Sequence, residues 1–430
     1  MKSEIISIGS ELTTGQNIDT HSQWLSKHLG EIGIPVAFHT TVSDDLADNI
    51  SVFRAAVDRA DLVVATGGLG PTLDDLTREV LAKTAGVDLY EDSESLKFIE
   101  ELFRRRNRTM PERNRIQAQF PKGSEPLANP IGTAPGIWMP IAKSSFDATK
   151  HSMPETIVVA MPGVPSEMYR MFYEQVVPRL QKLGQGSGVL LERKINTFGE
   201  GESALEQRLV DITKRGRVPE VGITASDAII SLRIIARGKT REEAEAQIAP
   251  TEQLIRERLG SLVYGTGSDN LQDIVMQLLK EKKKTIATAE CVTSGLIAHR
   301  LGQISGSRNW FRGAIVANNR DWKIRELGVP EELIAEVGEV DGRVAEAMAI
   351  SCRQRFQTDL AISTIGLADP AAINENHPVG TVYCAIAHPQ GVYSTHFCWL
   401  GNQQEIQSRC AHLALNLARL YLQEMIPQII

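Results

Sequence analysis

The first 180 residues repeat one pattern that few architectures can satisfy: a short apolar run, a loop, then apolar residues at helical spacing. Strands that are apolar along their length must be covered on both faces. The repeat therefore predicts an α/β fold, a parallel sheet between layers of helices. Ile5-Ile6-Ser7-Ile8 reads as the first strand, Gly9 and Gly15 bracket a loop, and His21, Trp24, Leu25, His28 and Leu29 share one helical face. Val36–Val42 leads to a helix with Leu46, Ile50, Phe53 and Val57 inward, and Leu62-Val63-Val64-Ala65 leads to a glycine turn. A later run, Ile157-Val158-Val159-Ala160, enters Met161-Pro162-Gly163-Val164-Pro165 and a helix near Ser166.

Gly184-Gln185-Gly186-Ser187-Gly188 reads as a linker, with a boundary near residue 185. Residues 189–264 spell a small α+β unit. Its elements are a strand, a helix carrying Leu205, Leu209 and Ile212, strands around 221–223 and 229–235, a charged helix over 240–259 and a last strand at 262–264. Gly265-Thr266-Gly267-Ser268 makes the next joint, and residues 270–430 return to α/β alternation ending in a helix from about Gln404 to Met425. The expected domains are 1–185, 186–266 and 267–430.

With 46 Lys and Arg against 53 Asp and Glu, the net charge of −7 repels polyanions, so direct nucleic-acid binding is not expected. No run approaches the roughly 18 apolar residues of a membrane helix, and Met1-Lys2-Ser3-Glu4 lacks a signal-peptide pattern. A cytoplasmic protein with no membrane partner is expected. Cys291, Cys352, Cys384, Cys398 and Cys410 are widely spaced, which argues for reduced thiols rather than a zinc or disulfide frame. Cys384 and Cys398, with His388 and His396, read as packing on a hairpin; His21 and His28 read as structural.

Three turns follow strands: Gly9 to Gly15, Thr66-Gly67-Gly68-Leu69-Gly70-Pro71-Thr72, and Pro162-Gly163-Val164-Pro165. In an open parallel sheet such turns line the ligand crevice, and glycines let backbone amides approach an anion. Pro71 is expected to open the following helix and present its positive end. Neither a Walker lysine nor a complete dinucleotide fingerprint is present. Glu11, Asp19, Asp74, Asp75 and Glu167 lie at or just beyond these turns. Each could be a helix cap, or together they could converge with phosphate oxygens on Mg²⁺. Arg104, Arg105, Arg106 and Arg108 form a basic cluster, and Arg113 and Arg115 beside Asn114 could fork onto phosphate.

The resemblance rests on Ser7-Ile8-Gly9-Ser10-Glu11-Leu12 with Gly15 and Asp19-Thr20, the Thr66–Thr72 loop with Asp74-Asp75-Leu76-Thr77, and Met110-Pro111-Glu112-Arg113-Asn114-Arg115 with Gln117-Ala118. Asn129-Pro130 with Gly132-Thr133-Ala134-Pro135-Gly136, Met161 to Met168, and Thr197-Phe198-Gly199 with Gly201-Glu202-Ser203 continue it. In order and spacing these segments are similar to the competence-damage-inducible (CinA) family across essentially the whole chain. The resemblance implies a molybdopterin-binding-like domain, a KH-like domain and an amidase-type C-terminal domain, assembled as a homodimer. It further implies metal-dependent hydrolysis of ADP-ribose to AMP and ribose 5-phosphate by the first domain. A divalent ion (Mg²⁺, Mn²⁺ or Co²⁺), with K⁺ as a further ion, would be held by Asp19, Asp74, Asp75 and Glu167. Gly9, Glu11, Asp19, Gly67, Gly68, Gly70, Asn114, Arg115 and Gly163 would contact substrate. Asp74 and Asp75 are the catalytic candidates. His21 departs from the family's usual Asn.

In the last domain, Thr285-Ile286-Ala287-Thr288-Ala289 reads as a strand that turns at Glu290-Cys291-Val292-Thr293-Ser294-Gly295 into a helix near Leu296. Cys291 there is either a nucleophile activated by a helix N-terminus or a small buried apolar residue. Lys323 is the activating partner in view. The segment resembles nicotinamide-nucleotide amidases, which convert nicotinamide mononucleotide to nicotinic acid mononucleotide and ammonia. Cys291 stands where that family has serine, Asn318 where it has tyrosine and Ile365 where it has threonine; Gly366-Leu367-Ala368-Asp369-Pro370-Ala371-Ala372 replaces its glycine loop. Lys323, Thr293, Gly295 and Pro378-Val379-Gly380-Thr381-Val382-Tyr383 are kept. On that pattern Cys291 and Lys323 are catalytic candidates, Thr293 and Gly366 substrate-binding ones, and the amidase is expected to be impaired. Alternative readings are a pterin- or nucleotide-binding protein without hydrolysis, and a scaffold in competence.

Overall fold

In the computed structural model, which describes residues 1–144, 153–183, 188–371 and 377–425, strand β1 (Ser3–Ile8) is buried at every position. A strand between two layers must be. Ile5 packs into one core with Leu62 and Val64, while Ile6 packs into the opposite one with Val63 and Ala65. The charge within β1 is also satisfied: Glu4, fully buried, takes a forked pair of hydrogen bonds from Arg59 at 2.7 and 2.6 Å.

The chain divides into two units, residues 1–191 with 236–246 and residues 192–235 with 247–430. The linker expected at 184–188 lies, Gly188 apart, outside the described residues, as does Ala372. In the first unit β1, β2 (Val36–Val42), β3 (Leu62–Thr66), β4 (Glu125–Leu127), β5 (Gly136–Ala142) and β6 (Glu155–Met161) form one sheet in the order β2-β1-β3-β6-β5-β4. β2, β1, β3 and β6 run parallel. The sheet is not parallel throughout, however, because β5 pairs antiparallel with β6 and β4 with β5. β5 and β6 are consecutive and joined by a shorter stretch than the helix-bearing connections between β1, β2 and β3. Strand order reverses between β1 and β3, so their C-terminal ends open the crevice where such sheets bind ligands.

A four-stranded sheet, which belongs to the second unit except for residues 189–191 and 236–238, consists of β7 (Val189–Phe198), β8 (Glu220–Ser226), β9 (Ile229–Gly238) and β10 (Val263–Thr266) in the order β8-β9-β7-β10. A five-stranded sheet follows: β11 (Ile286–Glu290), β12 (Phe311–Val316), β13 (Leu360–Gly366), β14 (Thr381–His388) and β15 (Gly391–Cys398), in the order β12-β11-β13-β14-β15. Phe198 and Tyr264 share one apolar core with Leu271, Ile286 and Leu417. The expected last helix is present as Gln403–Leu422. Cys384 lies against Cys410, Sγ to Sγ 3.6 Å, not against Cys398.

Arg419 of that helix is fully buried and ties it to the chain entering β10, donating to the carbonyls of Ser261 (2.6 Å) and Val263 (3.2 Å) and to Asn416. Burial pulls its pKa down to about 10, so it remains charged near neutrality. Arg419→Met keeps much of the apolar stem but orphans those carbonyls, at about 1–3 kcal/mol each. The expected outcome is a thermal midpoint lowered by roughly 5 °C or more, measured by calorimetry, with an unchanged midpoint counting against the clamp.

Candidate functional site

At the C-terminal ends of β1, β3 and β6 the first unit bears an open cavity of about 420 Å³. Its walls carry Gly9 and Glu11 after β1, Gly67, Gly68, Gly70, Asp74 and Asp75 after β3, and Gly163 and Glu167 after β6. The three predicted turns thus meet. The β3 loop is shaped by its own backbone: Gly67 and Gly68 take φ of 104° and 65°, which a side chain rarely permits. Thr77 secures the loop, its hydroxyl donating to the Gly67 carbonyl at 2.9 Å and its amide to the Gly68 carbonyl at 3.1 Å. The following helix starts at Thr77, so Pro71 sits inside the loop rather than at the helix start expected for it.

The acids are engaged separately. Asp75 closes the loop on itself, accepting from the amides of Gly70 (2.7 Å) and Thr72 (2.8 Å) and from the Thr72 hydroxyl. Glu167 accepts from Asn129 Nδ2 at 2.7 Å. A β-carbon on Gly9 would strike the Glu11 carboxylate, one on Gly70 that of Asp75, and one on Gly132 that of Glu167. Asp19 is absent from the cavity wall and caps the helix Thr20–Glu31, accepting from the Ser22 amide (2.9 Å) and hydroxyl (2.5 Å). Burial raises the Asp19 pKa, yet the bonds from Ser22 and Ser7 and the His21 charge outweigh it and the net shift is downward. Asp74 is exposed, and the Thr72 hydroxyl and its own amide hold it below the usual carboxylate range.

Among the described residues no three His, Cys, Asp or Glu side chains are placed to hold a metal ion. The expected quartet of Asp19, Asp74, Asp75 and Glu167 is therefore not grouped as a metal site among the described residues: Asp19 stands off the cavity wall as a helix cap, and Asp75 is taken up by the amides of its own loop. Asn114 is buried and donates to Gln117 (2.9 Å), and it is Gln117 that reaches the cavity wall. Arg115 forks onto Glu91 at 2.5 and 2.8 Å, off the wall, and Arg104 and Arg105 pair with Glu101.

Sequence reasoning missed Asp44, which follows β2 and joins the wall while accepting from the Ser10 amide at 2.8 Å. The rule that picked out the ends of β1, β3 and β6 applies equally to β2 and would have found it. Arg78 was missed as well. Nearly fully buried behind the loop, it donates to the carbonyls of Leu69 (2.6 Å) and Gly70 (3.3 Å). Burial lowers its pKa to about 10, with the Asp75 charge opposing.

In the second unit the switch point lies between β11 and β13, where the Cys291 amide donates to the Thr364 carbonyl at 3.0 Å. Cys291 is not at a helix N-terminus. The amides of Ile297 (3.1 Å) and Ala298 (2.8 Å), in the first turn of the helix Leu296–Gly302, are taken by the fully buried Glu290. Glu290 also accepts the Thr293 hydroxyl at 2.7 Å, and Thr293 bonds Thr364 at 2.8 Å, so its hydroxyl is spent on the fold. Gly366 is needed because a β-carbon would strike the Thr381 carbonyl. Lys323 does reach Cys291; it is buried, with Nζ 2.7 Å from Glu339. Burial pushes the Cys291 thiol up, and Glu339 adds to this, against the lowering effect of the Lys323 charge and hydrogen bond. Ile365 is fully buried and offers no donor, and Asn318 is exposed.

Comparison with known proteins agrees with this architecture. Residues 4–182 match the family model described as "Probable molybdopterin binding domain", 192–265 the "Damage-inducible protein CinA KH domain" and 268–422 the "CinA C-terminal domain". A CinA-like protein of Dictyoglomus thermophilum is 40% identical over 386 residues, 90% of each chain. Another, from Frankia casuarinae, is 38% identical over 431 residues, 97% of this chain and 96% of its own. The crystal structure of CinA from Thermoplasma acidophilum is 30% identical, covers 43% of this chain and 99% of its own, and superposes with a TM-score of 0.36. With curated relatives aligned over nine tenths or more of its length, the chain belongs to the CinA family.

Proposed function

We propose that the first unit hydrolyses the diphosphate of a nucleotide of the ADP-ribose type, giving AMP and ribose 5-phosphate. The supporting observation is the 420 Å³ cavity at the sheet's switch point, walled by glycine loops and by Glu11, Asp44, Asp74, Asp75 and Glu167. Among the described residues that wall contains no Lys or Arg, so every formal charge a bare diphosphate would meet there is of like sign. The substrate is therefore the diphosphate complexed with Mg²⁺, Mn²⁺ or Co²⁺, an ion that enters with its phosphates rather than residing on the protein. When bound, such an ion neutralises the diphosphate and activates water. The chain's own part is orientation: the β3 loop fixes Asp75, and Asp74 is the exposed carboxylate facing the arriving complex.

We also propose that the C-terminal domain keeps an amidase-like scaffold whose action on nicotinamide mononucleotide is strongly reduced. A thiol held in its neutral form is a poor nucleophile, and a buried Ile365 cannot orient an amide.

Incubation with ADP-ribose and chromatography of products should show AMP only when a divalent ion is present. Asp74→Asn should lower kcat by about 10²–10⁴-fold without altering the melting temperature. AMP formation equal in EDTA, or an Asp74→Asn variant as active as the parent, would count against this reading. For the second unit, alkylation of Cys291 by iodoacetamide in a Cys398→Ser background should be slow at pH 7 and accelerate above pH 9. Removing the cation with Lys323→Met should slow it further, whereas removing the like charge with Glu339→Gln should speed it, because the thiolate is then less disfavoured. Mass spectrometry of the alkylated peptide reads both.

A further inference from the structure

Asn129, just after β4, is 1% exposed, and both ends of its carboxamide are engaged. Its Nδ2 donates to the Ala134 carbonyl at 2.9 Å and to Glu167 Oε2 at 2.7 Å. Its Oδ1 accepts from the amides of Ile131 (3.2 Å) and Gly132 (2.9 Å). One side chain thus closes the loop 129–134 and ties it to the helix Pro165–Met171. Thr133 and Ala134 of that loop and Glu167 of that helix all stand on the cavity wall.

We propose that Asn129 is a positioning residue of this cavity: by holding one oxygen of Glu167 it presents the other to the bound diphosphate complex. The proposal rests on the hydrolase reading above. Carboxamide chemistry makes it specific. Aspartate has the same shape but cannot donate, and an aliphatic residue would orphan two loop amides and a carbonyl. Gly132 completes the clamp, since a β-carbon there would occupy the space of the Glu167 carboxylate. The side chain is therefore held by Asn129, in room left by Gly132, before any ligand arrives, and such outer partners commonly govern about 10–100-fold in function.

Asn129→Asp sets two carboxylates against each other at the 2.7 Å spacing now bridged by the amide. They cannot both ionise, so the pair retains a proton to a higher pH in the folded state than in the unfolded chain. The variant's stability deficit should accordingly be small near pH 4–5 and grow as pH rises toward 8, while the parent shows no such divergence. N129D/E167Q reverses donor and acceptor across the same contact and should recover most of the lost melting temperature and abolish the added pH dependence. Turnover of ADP-ribose by N129D should fall about tenfold or more at pH 8 and partly recover toward pH 5.5, with the effect in kcat. The double variant should stay inactive, because an amide then faces the cavity. Melting of N129D that parallels the parent from pH 5 to 8, or a double variant no more stable than N129D, overturns the clamp. An unchanged pH profile of turnover reduces Asn129 to a loop residue. If the parent yields no AMP, the hydrolase reading fails by that result alone. Positioning of Glu167 is then decided by the pH course of melting and of ADP-ribose·Mg²⁺ affinity by calorimetry, where an N129D affinity equal to the parent's overturns it.

Discussion

Three carboxylates at the head of the N-terminal sheet occupy space that a β-carbon would otherwise fill: Glu11 over Gly9, Asp75 over Gly70 and Glu167 over Gly132. The rest of the site depends on this pairing of an acid with a missing side chain. It lets a carboxylate lie close to the backbone, where Asp75 collects the amides of Gly70 and Thr72, and those amides set its direction without a second charged residue. Arg78 supplies the opposing charge from behind, through carbonyls rather than by direct entry into the cavity. A loop held by amides on one side and by a buried guanidinium on the other has little freedom to collapse when the cavity is empty.

The central strands were legible because they are buried on both faces, which writes them as mainly apolar runs at 5–8, 62–65 and 157–160, whereas the edge strand at 36–42 alternates between half-buried and exposed positions. The antiparallel edge was not, since the pairing of β5 with β6 is a long-range choice that leaves no local mark. At the site, the turns were legible but the use of each acid was not. A cap and a ligand occupy the same place in sequence, one residue outside a helix or turn, and only the position of the nearest amide separates them. For Asp19 and Asp75 the residues left both uses open and the resemblance implied the ion; each accepts from nearby backbone amides, Asp75 while standing on the cavity wall. Asn129 and Glu290 were passed over because their roles consist of bonds to residues that are distant or ordinary in sequence.

The two switch points show how one topology is used differently. In the first unit the crevice between β1 and β3 is open and lined with exposed or half-exposed acids. At the corresponding crossing in the second unit the acid is Glu290, wholly buried, and it spends its oxygens on helix amides and on Thr293. That arrangement makes the 291–295 turn rigid. It also removes the helix amides that would otherwise lower the Cys291 pKa, leaving burial to dominate over Lys323. Rigidity and nucleophilicity here draw on the same donors.

On the hydrolase reading, the separation of the acids in the first unit has a further consequence. Carboxylates gathered tightly would bind a free divalent ion through several protein oxygens and leave little need for phosphate. Acids each tied to a separate partner, Asp75 to Thr72, Glu167 to Asn129 and Asp44 to Ser10, are not grouped into such a cage among the described residues. The cavity then favours the ion only when phosphate oxygens complete its coordination, and favours the phosphates only when the ion screens the wall. On that reading each partner is expected to bind weakly alone, and a requirement for both would follow from electrostatics rather than from a dedicated recognition residue.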